Sequence, residues 1–65
     1  MDTAGATRIL AVVTPDSGLV GPGGAPVFMA HSQEEQERLA LLLARIMGGV
    51  PHDLENGVYI VVKHS

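Results

Sequence analysis

Asp16, Ser17, His52, Asp53 and Glu55 are the residues of this chain whose types could do chemistry together: two acids, a hydroxyl, an imidazole and a further acid, all in turn-rich segments. Nucleophilic catalysis needs such groups within hydrogen-bond reach, with the base oriented by a third group. Asp and Ser also occupy turns for purely local backbone reasons, and that turn chemistry is the favoured account here. Asp16, Ser17, His52 and Asp53 are therefore kept as a candidate ligand-binding set, and no catalytic residue is assigned.

Three histidines, His31, His52 and His64, raise the question of a metal, but no ligand motif frames them. The expected topology puts His31 and His64 at one end of the sheet on opposite edges, roughly 10 Å apart, with His52 at the far end. No metal site and no cofactor is predicted. The run Gly21-Pro22-Gly23-Gly24 resembles a phosphate cradle in composition only, because such loops deliver an anion to a helix N-terminus. Here the loop leads into a strand and the helix start is loaded with glutamates, so it reads as a flexible connection.

The elements that would position these residues are few. Residues 1–6 are small and polar, expected to be flexible ahead of a single domain that takes up the 65-residue chain. Two β-branched runs, 7–14 and 58–63, read as strands, and 26–30 as a short edge strand opened by Pro26. Ser32 and Glu35 form a capping-box pattern; Leu39, Leu42, Leu43, Ile46 and Met47 recur on one helical face, and Gly48-Gly49 closes the helix. The predicted class is α+β: a two-layer β-β-α-β domain with a three-stranded antiparallel sheet, spatial order 2-1-3, and one helix on one face. In that arrangement the glycine loop, the helix C-terminus and residues 50–56 share one end, and the helix N-terminus lies at the other.

Both main strands are apolar on both alternating faces, which implies that both sides of the sheet are covered. One helix covers one side. Leu10, Val12, Tyr59 and Val61, rimmed by Arg8, Thr14 and Lys63, are assigned to the other, as an interface for a second copy or a larger protein. Leu41, flanked by Ala40 and Ala44 on the back of the helix, is a secondary contact candidate. The alternative cover is loop 15–24 folding back over the sheet.

Composition narrows the function classes. A chain this short has a marginal core, and with no cysteine it has neither disulfides nor thiolate zinc to support it, so association is the expected support. Absence of cysteine suits a reducing cytoplasm, and no secretory signal opens the chain. Net charge is −3 with four scattered cations, which argues against nucleic acid as a partner. The longest apolar run, 39–44, is far below the ~20 residues that span a bilayer.

Residues 26–62 faintly resemble the small tautomerases, which place a comparable polar-start helix between two strands and assemble as oligomers. That family's catalyst is an amino-terminal proline. Here Pro26 is internal and the chain begins Met1-Asp2, so the resemblance brings no chemistry with it. The expected function is a cytoplasmic, non-enzymatic homo-oligomer serving as an adaptor, regulatory or accessory subunit. A small-molecule or metal-binding protein, or a minor enzyme, with its site at the loop end is the alternative.

Overall fold

A computed structural model describes residues 8–64; the segment expected to be flexible, 1–6, lies outside them. The elements run β1 (Arg8–Thr14), a short 3-10 turn (Ser17–Leu19), β2 (Val27–Met29), α1 (Gln33–Met47), β3 (Val50–Asp53) and β4 (Tyr59–Lys63). The class is α+β, with one helix on a four-stranded mixed sheet ordered β2-β1-β4-β3.

Two expectations about the sheet are corrected. A fourth strand, β3, follows the helix directly and pairs antiparallel with β4. Only one of its four residues is β-branched and Pro51 interrupts it, so its sequence signal is weak; a proline is tolerated because β3 is an edge. The second correction is direction: β1 and β2 are parallel, with Val12 opposite Val27 and Thr14 opposite Met29. A parallel pair needs a crossover, and the dozen residues 15–26 supply one. They leave the sheet after Thr14 and return beside Ile9, Val12 and Val27, forming a groove between Val20–Ala25 and those strand residues. The helix crosses the opposite face in the opposite direction, so the two crossovers have the same hand.

Loop 15–26 thus lies on the sheet face that oligomerisation was expected to cover. Leu19 packs near Gly57, and Val12 and Val58 are buried on that side.

A β-bulge between Ile9 and Ala11 rearranges which residues face the helix. Paired residues share a sheet face, so Ala11–Val61 and Val13–Tyr59 point to the helix, while Val12–Ile60 and Ile9–Val62 point away. The extra residue, Leu10, joins the helix side. Of the four sheet residues assigned to an outer interface, only Val12 faces outward. Leu10 and Tyr59 pack against the core cluster, and Val61 is 0% exposed within it.

The helix is rotated relative to expectation. Ala11, Val13 and Val61 meet Ala30, Ala40, Leu43 and Ala44, so the alanines expected on the outer side of α1 are its contact surface. Their small side chains let the helix sit close to the sheet. Gly49 shows how tight the seat is: a Cβ there would lie 2.8 Å from the Val62 carbonyl oxygen and 3.0 Å from Leu10 and Val61. Gly48 closes the helix in the left-handed conformation, φ 74°. Among the described residues no helix is long and apolar enough to cross a membrane.

Candidate functional site

Because β2 runs parallel to β1, the helix starts at the same end of the sheet as Thr14, Tyr59 and Asp53, which corrects the expected placement of the two ends. Ser32 caps α1, its Oγ accepting from the Glu35 amide at 3.1 Å. The Glu35 carboxylate reaches one residue further back than a capping box does, accepting from the His31 amide at 2.5 Å and lying 3.1 Å from His31 Nδ1. That backbone bond, then the imidazole, holds the Glu35 carboxyl below its ordinary value.

Gln36 is the one polar side chain of α1 that is buried. Its Nε2 donates to the Val13 carbonyl at 2.8 Å and to the Gly57 carbonyl at 2.9 Å, tying the helix to β1 and to the β3–β4 turn. Beside it Tyr59 donates to Glu37 Oε2 at 3.3 Å. Burial, with Asp53 and Glu37 close by, raises the phenol's pKa above its ordinary value.

The candidate ligand set divides. Asp16 caps the 3-10 turn, its Oδ1 accepting from the Gly18 amide at 2.8 Å, and its backbone is bracketed by the Thr14 hydroxyl. Ser17 opens that turn. Asp53 accepts from the Glu55 amide at 2.8 Å and lies across from Tyr59. These are turn and cap duties. His52 sits on β3, where its Nε2 is 3.4 Å from that of His64; the two were expected at opposite ends of the sheet. The third strand's hidden partner explains this, since β3 brings residue 52 alongside β4.

An exposed apolar flank lies on the helix. Packing on Ala40, Leu43 and Ala44 leaves the flank carrying Leu42 (49% exposed) and Ile46 (70% exposed) in solvent, and Leu41 is exposed on another side. Helix α1 rests on β1, β4 and β3, so this flank hangs toward the β2 edge. There Met29, Leu39 and Leu42 line a shallow apolar groove rimmed by His31, Glu35 and Arg38. Among the described residues strand β2 pairs on one side only. Leu42 and Ile46 belong to the apolar helical face expected from the spacing, yet both stay exposed. The signal for a second surface was the width of the apolar arc, since Leu41, Leu42 and Leu43 cannot all face one sheet.

Comparison with known proteins adds the context. The chain is 43% identical over 56 residues to the uncharacterized protein YpzH of Bacillus subtilis (strain 168), covering 86% of each chain. No solved structure matches. A family model describing a subunit of a complex matches residues 6–64, which take in every described residue. The chain therefore belongs to the family described as the capping complex subunit for YIEGIA.

Proposed function

We propose that this protein is a non-catalytic accessory subunit that docks into the capping complex for YIEGIA through the apolar flank of α1 and the neighbouring β2 edge. The observation that carries this reading is the exposure of Leu42 and Ile46 on one flank of α1, with Leu42 beside Met29 of the edge strand β2. Exposed apolar patches rimmed by polar groups mark interaction sites. Here Glu35 and Arg38 supply the rim. An open strand edge adds backbone donors and acceptors that a partner can extend. The family description supplies the kind of partner, a protein within that complex. The scarcity of basic residues suits a protein partner better than nucleic acid, and a cysteine-free chain suits the cytoplasm.

The test is co-purification of the complex from cells with the double variant Leu42→Asp/Ile46→Asp. Both positions are exposed, so circular dichroism should report an intact fold while association is lost. Full retention of the complex by a folded double variant would sink the proposal. Self-association through the same flank is read from the same pair of proteins by sedimentation velocity: a homo-oligomer built on it dissociates in the double variant.

A further inference from the structure

The geometry points to a metal site that neither the family nor the fold assigns: His52 and His64 form a two-histidine clamp for a divalent transition-metal ion such as Zn²⁺. His52 lies on the edge strand β3 and His64 immediately follows β4. Their Nε2 atoms are 3.4 Å apart, and the rings meet edge to face, with centroids 5.5 Å apart and planes at 71°.

The separation is the informative quantity. Two imidazole nitrogens, each about 2.0–2.1 Å from one tetrahedral zinc, stand about 3.4 Å from each other. At that distance the two nitrogens also lie within reach of a long hydrogen bond, one ring donating to the other, so an ion would replace that contact. Both rings are at the surface, where an ion can enter.

Imidazole is a ligand suited to zinc, nickel and copper. Among the described residues no group of three or more ligating side chains gathers, so the chain contributes two ligands. Water, or the same pair from a second copy placed along the open β3 edge, completes the coordination. A bound ion would fasten the edge strand to the end of β4, adding to the ladder that joins the two strands.

Isothermal titration of ZnCl₂ into the tag-free full-length chain tests this. Saturable binding is expected, with one ion per chain if water completes the site and one per two chains if a second copy does. His52→Ala and His64→Ala should each weaken binding about tenfold or more, because even partners outside the first coordination sphere cost that much. His31→Ala should leave binding unchanged, since His31 is engaged with Glu35 at the other end of the sheet. Nitrogen NMR of the rings should show Nε2 of His52 and His64 shifting with zinc. Absence of saturable binding overturns the site, as does binding that survives loss of both histidines.

Discussion

Tyr59 gives the most direct handle on a single residue, because it is the one tyrosine and the chain has no tryptophan. Burial first, then Asp53 and Glu37, disfavour the phenolate, so its folded-state pKa is raised above 10. The sign follows: the group adds stability that is fully present below the unfolded value and is lost as pH rises through the folded value. Ultraviolet titration of tyrosinate should give a midpoint above that of the free side chain, and Glu37→Gln should lower it. Glu35 works the other way. Its depressed pKa adds stability above the unfolded value of 4.5, and that contribution fades as acidification passes through the folded value. Gln36 is a buried tie. Gln36→Leu leaves the Val13 and Gly57 carbonyls without their side-chain donor, a loss of about 2 kcal/mol. In a chain of this size that is a fall of about 10 °C in Tm, measurable by circular dichroism. Gln36→Glu should be worse, since a carboxylate would face two carbonyl oxygens.

At the scale of elements, the helix and its ends were legible from residue order. Ser32 caps, Gly48 terminates in the left-handed conformation, and the acidic first turn and Arg45 complement the macrodipole. Which face α1 buries was not legible. Its apolar arc is wide enough for two seatings, and the choice went to the alanine side, where the helix can approach Gly49 and Leu10. Gly49→Ala should therefore cost about 1–3 kcal/mol through the contact with the Val62 carbonyl, as overpacking does. Loop 15–26 makes the companion prediction. Removing Val20–Gly24 strips cover from Val12, so the shortened protein should unfold at lower denaturant and bind a hydrophobic dye.

For the whole molecule, the sheet does have two apolar sides, and the chain supplies a lid for each: α1 on one, loop 15–26 on the other. That changes what disruption of the sheet should do. Val61→Asp places a charge at a fully buried site and should abolish folding at every protein concentration, a loss visible by circular dichroism without any dependence on assembly. The demand for a partner moves to the flank of α1, where apolar surface remains after both lids are in place.

What residue order determined by itself was local: the caps, the helix, the two long strands, the turns around Asp16 and Asp53, and the α+β class. Each rests on interactions within a few positions of one another. The tertiary structure decided the rest. One extra residue at Leu10 brought it to the helix side beside Ala11. The direction of β2 was set by where a dozen-residue crossover could lie, and β3 formed because β4 offered it an edge. His52 met His64 only through that pairing. These outcomes depend on contacts between distant segments, which no run of neighbouring residues encodes.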